Sequence, residues 1–367
     1  MSYFATLSLF CTLIVAYTAS PAVDPIASCT ISSYDEVSTV VKACTNIIVS
    51  SLDVPAGKTL ELDLQAGSTL TFQGITKFEH SNWAGPLLKI KGSKITVTGA
   101  SGHALDGQGA LYWDGKGGSG TKKPKFFRIQ ATGGSVFKDL MIKNCPIQCV
   151  SIGNSDHLTI SGFNIDVKAG DTNALGHNTD GFDVSSSTNI LVENSNIYNQ
   201  DDCVAVNQGS NMVFSKLYCS GGHGLSLSVG MSTTSSSANT VSNITFTGCT
   251  VTNSDNGIHV KTHTDATTGS IKSVTYHDIQ FLGIRKYGVN IQQDYSGGSS
   301  TGTPTGNIPI TGLTLSSVTG TMTGTSSMPV YILCGSGGCS SWSWSSVSIT
   351  GGHKADSCNF TPSGFTC

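Results

Sequence analysis

From about residue 85 the chain breaks into strand-length runs in which apolar and polar residues alternate, separated by Gly, Asn, Asp and Ser. Examples are "CVSIGNSDHLTISGFNIDV", "FDVSSSTNILVENSNIY" and "CVAVNQGSNMVFSKLYC". Alternation with period two marks half-buried strands. The runs also repeat. "HLTISGFNI" begins at His157, "NILVENSNI" at Asn189, "NMVFSKLYC" at Asn211, "NITFTGCTV" at Asn243 and "SVTYHDIQF" at Ser273, at successive offsets of 32, 22, 32 and 30. The shortest offset reads as the basic period, and the longer ones carry polar inserts such as "KAGDTNALGH" and "GMSTTSSSANT". A period in the low twenties with several short strands in it predicts a solenoid. The expectation is an all-β, single-domain parallel β-helix. An antiparallel sandwich would explain the alternation but not the repeated Asn-apolar-apolar starts. One helix is predicted, over residues 32–45, where Val37, Val40, Val41 and Cys44 follow helical spacing.

Composition narrows the function classes. Only 12% of the residues are charged and the net charge is −3, so neither a nucleic-acid footprint nor a polybasic membrane patch is present. The opening "MSYFATLSLFCTLIVAYTAS" holds an apolar run, Leu7–Ala16, followed by small residues. It reads as a secretion signal (residues 1–20, cleavage at 19–22), although no Lys or Arg precedes the run. Residues 21–367 are then a single parallel β-helix domain. No other stretch is long and apolar enough to span a bilayer.

Secretion suits the twelve cysteines. Cys11 leaves with the signal, so twelve less one gives eleven. Spacing suggests local bridges Cys29–Cys44, Cys203–Cys219, Cys334–Cys339 and Cys358–Cys367, though connectivity cannot be read from sequence. Cys145, Cys149 and Cys249 are expected as buried small hydrophobes. Asn243, in Asn-Ile-Thr, is a candidate glycosylation site.

The period also arranges the polar outliers. In a β-helix, residues one coil apart stack at the interstrand spacing of about 4.8 Å. Asp180 in "HNTDGFDV" and Asp202 in "NQDDCVAV" are 22 residues apart, as are Asp201 and His223 in "SGGHGLSLSV". Three coils should therefore present Asp180, Asp201, Asp202 and His223 as one patch. Carboxylates this close repel, so at least one should keep its proton while others stay ionised. An acid beside a base is what glycoside hydrolysis requires. A calcium site is the competing reading of clustered aspartates.

These residues also carry a resemblance. "NTD" at 178–180, "QDD" at 200–202, "GHG" at 222–224 and "GIHVKT" at 257–262 follow in the order and spacing of the polygalacturonases, and the likeness runs from about Cys29 to Cys367. The cysteine-rich tail "ILCGSGGCSSWSW" resembles the secreted fungal-type endo-acting members. The resemblance implies a right-handed parallel β-helix and an inverting hydrolysis of α-1,4-linked galacturonan without metal or other cofactor. Carried over by position, Asp201 is the general acid, Asp180 and Asp202 activate water, and His223 orients or tunes the acid. Asn178 and Gln200 match second-shell or substrate-contacting positions. Lys261, Tyr295 and Asp183 match substrate-binding positions, and Asp255 is a weaker carry-over. A monomer is implied, with pectin as partner and plant inhibitor proteins as further candidates.

One departure stands out. Where the family motif has Arg-Ile-Lys, this chain has His259-Val260-Lys261. A histidine lacks the fixed charge and the bidentate fork of arginine. The expectation is weaker substrate binding at His259, partly restored when the ring protonates below about pH 6.5. The chain also lacks a basic pair before Cys29, where many fungal relatives end a propeptide. Rival functions are hydrolysis of another pectic polymer such as rhamnogalacturonan, pectin binding without catalysis, a calcium-dependent pectate lyase, and an adhesin.

Overall fold

The computed structural model describes residues 29–367 and the first two residues. The apolar run read as a secretion signal, with its cleavage point, lies outside the described residues. The described chain is a right-handed parallel β-helix, as predicted. Its strands form one 20-stranded and one 12-stranded sheet, each coil adding strands to both. Apart from the Tyr295–Ser300 hairpin, strand pairing is parallel throughout.

Alternation places one side of every strand in the interior. In Ile244–Val274–Leu313 and in Ile197–Cys219–Val251, residues one coil apart pair directly. The fill is aliphatic and aromatic, and the rings stack as the coils do. Phe214, Phe246 and Tyr276 form a column with centroid separations of 4.8 and 4.7 Å. At 20–33 cal/mol per Å² of apolar surface, roughly, this continuous core is the main source of stability.

The repeated asparagine starts have a local cause. His157, Asn189, Asn211, Asn243 and Ser273 all hold left-handed backbone, with φ between 50° and 56°. Asparagine tolerates this conformation better than other side-chain-bearing residues. The side chains also form a ladder between coils. Asn189 Nδ2 donates to Asp156 Oδ1 at 2.9 Å, Asn211 Nδ2 to Asn189 Oδ1 at 3.3 Å, and Asn243 Nδ2 to Asn211 Oδ1 at 2.9 Å. Asn243, the sequon residue, is exposed at the end of this ladder.

The predicted helix is present as α1 (Val37–Ala43), preceded by a single 3₁₀ turn, Tyr34–Glu36. Glu36 Oε2 accepts from the backbone N–H groups of Ser32 and Ser33 and so starts the turn. Val37, Val40 and Val41 are buried against the first coils, which closes the N-terminal end of the core. Among the described residues no helix is long and apolar enough to cross a membrane.

The four bridges expected from spacing are present. A fifth corrects the expectation for Cys145 and Cys149, which are bonded to each other. The chain turns sharply after Asn144 (φ 51°), bringing the two Cα atoms to 5.3 Å. Cys249 is free and buried.

Candidate active site

The site lies where three short strands of the 12-stranded sheet stack: β1 (Phe182–Ser185), β2 (Val204–Val206) and β3 (Leu225–Val229). Phe182 pairs with Val204, and Val204 with Leu225. The residues just before each strand therefore come together at its N-terminal edge. Two further strands, β4 (Asn256–His263) and β5 (Tyr287–Ser296), extend the floor. The stacked edges line a cleft of about 760 Å³ that includes Asn178, Asp180, Asp183, Asp201, Asp202, His223, Lys261 and Tyr295.

At its base, Asp202 is 2% exposed. Its Oδ1 accepts from Ser226 Oγ at 2.6 Å and its Oδ2 from Lys261 Nζ at 2.8 Å. Burial works against the Asp202 charge, but Lys261, helped by His223, overrides it and holds the carboxyl below its ordinary range. Lys261 is correspondingly held charged, its own burial outweighed by Asp202.

Asp180 has the opposite environment. Burial, reinforced by the charges of Asp201, Asp183 and Asp202, pushes its carboxyl well above the ordinary range. Its Oδ1 is buried without a hydrogen-bond partner in the protein. Half-buried Asp183 is raised to about 7, first by desolvation and further by Asp202 and Asp201, although Lys125 opposes this. The expected raised carboxyl is Asp180, with burial as the first cause and the crowding of carboxylates as the second; Asp183 is raised chiefly by burial.

Asp201 is gripped at both oxygens. Oδ1 accepts from the Asp202 N–H at 2.8 Å and faces His223 Nδ1 at 3.1 Å, while Oδ2 accepts from Asn178 Nδ2 at 3.1 Å. On the far side of the ring, His223 Nε2 lies 3.9 Å from Asp255 Oδ2. Desolvation lowers the affinity of His223 for a proton, but the bond to Asp201 and the nearby carboxylates win, so its pKa is raised. Asp255 lies behind the cleft wall, paired with Arg285 at 2.9 Å and Lys286 at 2.7 Å.

Donor atoms of Asp201, Asp202 and His223 lie within 4.8 Å of one another, a spacing that a cation could bridge. Lys261 already supplies Asp202 with a bonded positive charge. We assign no metal to the trio.

Gln200, expected either to touch substrate or to support residues that do, takes the supporting role, and His259, expected to touch substrate, does not line the cleft. The Gln200 amide is used inside the protein: Nε2 donates to Val167 O and Asp171 Oδ1, and Oε1 accepts from Thr179 Oγ1. It ties down the turn Lys168–Ala174 rather than facing a ligand. His259 is 8% exposed, and neither ring nitrogen has a hydrogen-bond partner. Desolvation, assisted by the Lys261 charge, lowers its pKa to about 3. The expected recovery below pH 6.5 is therefore corrected, because the buried ring stays neutral well below that pH.

Tyr295 stands over the cleft floor, its ring centroid 5.1 Å from Lys261 Nζ and edge-on to His263 at 5.2 Å. Ser226 and His263 escaped the sequence reading. Ser226 pairs with Ala205 and His259 in the sheet register, and the alternating serines of "LSLSVG" were its only signal.

Residues 44–367 match the profile described as glycosyl hydrolases family 28. The chain belongs to that family. The family 28 chain is 54% identical to a polygalacturonase from Phaedon cochleariae and 47% identical to one from Penicillium griseoroseum, each alignment covering 96% of both chains. Among solved structures, endopolygalacturonase I from Stereum purpureum, complexed with two galacturonates, superposes with a TM-score of 0.76 at 39% identity. That match covers 89% of the family 28 chain and 96% of the other.

Proposed function

We propose that the chain is an endo-acting polygalacturonase, which hydrolyses α-1,4 linkages of polygalacturonan at this cleft. The observation that carries the reading is the meeting of Asp180, Asp201, Asp202 and His223 at one cleft base beside a buried ammonium. Membership of family 28 and the endopolygalacturonase relatives support it.

In this reading Asp201 delivers a proton to the glycosidic oxygen as the C1–O bond breaks. Its neighbour His223 orients it by hydrogen bonding at 3.1 Å and stabilises the carboxylate left after the proton has gone. Water is held between Asp180 and Asp202 and attacks the anomeric carbon, and Asp202, kept ionised by Lys261, accepts the proton. Inversion follows from the family resemblance of the four motifs. Lys125, Arg128 and Lys261 line a cleft that takes a polyanion, and Tyr295 offers a sugar-facing ring. Asn178 and Asp183 complete the substrate-facing set. Five disulfides support secretion, with residues 1–20 as signal and 21–367 as mature enzyme. A monomer, a glycan at exposed Asn243 and recognition by plant inhibitor proteins complete the reading.

The test is reducing-end release from polygalacturonic acid at about pH 5 with EDTA, wild type beside Asp201→Asn. Wild-type release with loss of about a hundredfold or more in the variant supports the reading. An EDTA-sensitive activity giving unsaturated products would overturn it.

A further inference from the structure

Sixty residues before Asn178 the chain makes a closed loop over the cleft wall. Its clasp is Lys123, whose side chain is 1% exposed. The ammonium donates to Asp114 Oδ1 at 2.8 Å, Gly117 O at 2.9 Å and Thr121 O at 3.1 Å, which uses all three of its N–H groups. Asp114 is held ionised, its carboxyl lowered to about 2 chiefly by the bond from Lys123. It also accepts from the backbone N–H groups of Lys116 and Thr121, both at 3.0 Å. Gly115 N–H donates to Leu175 O at 3.0 Å, hooking the loop to the turn beside Asn178. Gly117 has φ +51°, and a Cβ there would lie 2.2 Å from Asn178 Oδ1, so the approach needs glycine.

The closed loop turns one donor inward. Gly118 N–H donates to Asn178 Oδ1 at 2.9 Å, and Asn178 Nδ2 donates to Asp201 Oδ2 at 3.1 Å. We propose that the Asp114–Lys123 clasp is a positioning device for the Asp201 carboxyl, acting through Gly118 and Asn178. An asparagine amide has two ends of nearly equal size, one donating and one accepting. Flipped by 180°, Asn178 would set its oxygen against Asp201 Oδ2, where it would repel the carboxylate or, when Asp201 is protonated, accept the proton that belongs on the glycosidic oxygen. Gly118 N–H can only donate, so it holds the amide in the orientation that grips Asp201. The other carboxyl oxygen is fixed by Asp202 N–H and His223, and the carboxyl plane is thereby set at both ends. Lys123 and Asp114 are positioning residues that do not touch the reacting atoms.

The inference rests on Asp201 being the proton donor, and a double-mutant cycle separates the two claims. Lys123→Met should lower kcat by about tenfold or more, with KM changed by less than about threefold, since small misplacements of a reacting group cost up to about a hundredfold. In an Asn178→Ala background the same substitution should change kcat by less than about twofold, because the link it acts through is already cut. Asp114→Asn, which leaves the ammonium its two carbonyl partners, should repeat the pattern at smaller amplitude, and it carries the test if Lys123→Met does not fold. Equal losses in both backgrounds would overturn the inference, as would no loss from the clasp variants while Asn178→Ala is impaired. Full activity of Asp201→Asn would instead remove the acid reading and leave the clasp nothing to position.

Discussion

Lys261→Met tests the electrostatics of the cleft base most directly. Methionine keeps much of the side-chain volume and removes the charge. The Lys261–Asp202 pair is 2.8 Å apart, with side chains 7% and 3% exposed, and removing one partner strands a buried carboxylate. Breaking such a pair costs about 3–5 kcal/mol. Unfolding entropy of about 2 cal/mol/K per residue converts that, for a chain of this length, into a fall in Tm of roughly 4–7 °C. The pH dependence identifies the cause. In the wild type Asp202 sits below its ordinary pKa, so its contribution is complete above about pH 4 and is lost as pH falls through the lower folded value. In the variant, burial is opposed only by His223 and the Ser226 hydrogen bond, and Asp202 is raised. Its penalty then grows as pH rises from about 4 through that raised value, and vanishes on protonation. Calorimetry should therefore find the deficit large at pH 7 and much reduced at pH 4. An equal deficit at both pH values would refute this reasoning and reduce Lys261 to a packing residue.

His259→Phe is expected to leave the shape of the pH–rate profile above pH 4 unchanged. The wild-type ring, at about 3, takes up fewer protons folded than unfolded, so wild-type stability falls by up to about 1.4 kcal/mol per pH unit below about pH 6.5. The variant's advantage in denaturant midpoint should widen between pH 6.5 and pH 4, and a constant gap would contradict the buried, neutral assignment. Asp183→Asn tests the opposite sign. A carboxyl raised to about 7 costs folded stability as pH rises from about 4 through 7, so the variant should be more stable than wild type at pH 8 and indistinguishable at pH 3.5. Midpoints that differ equally at both would show that Asp183 titrates normally.

The coil architecture was legible because its determinants are local and repeated. Asn189, Asn211 and Asn243 announce left-handed turns that the backbone adopts at those positions, and the strands they open pair in the register their offsets imply. The same arithmetic brought Asp180, Asp201, Asp202 and His223 together. His259 was misread and Gln200 left open between two roles for one reason: a polar residue beside a cleft looks the same in sequence whether it faces ligand or is buried within the protein. The Cys145–Cys149 bridge depends on a turn after Asn144 that no periodicity signals. Ser226 was hidden because serine is ordinary in a strand, and only its 2.6 Å bond to Asp202 marks it.

By itself the sequence determined which residues stack, because stacking in a solenoid follows from a period that each coil carries within itself. Tertiary structure decided which of those residues hold protons and which way they point. Asp202 is held below the ordinary carboxylate range because Lys261, from a later coil, hydrogen-bonds it, whereas at Asp180 burial outweighs the more distant Lys261 charge and raises the carboxyl. Asn178 grips Asp201 through a loop closed sixty residues earlier. Charge state and orientation depend on burial and on distant partners, and a one-dimensional pattern encodes neither.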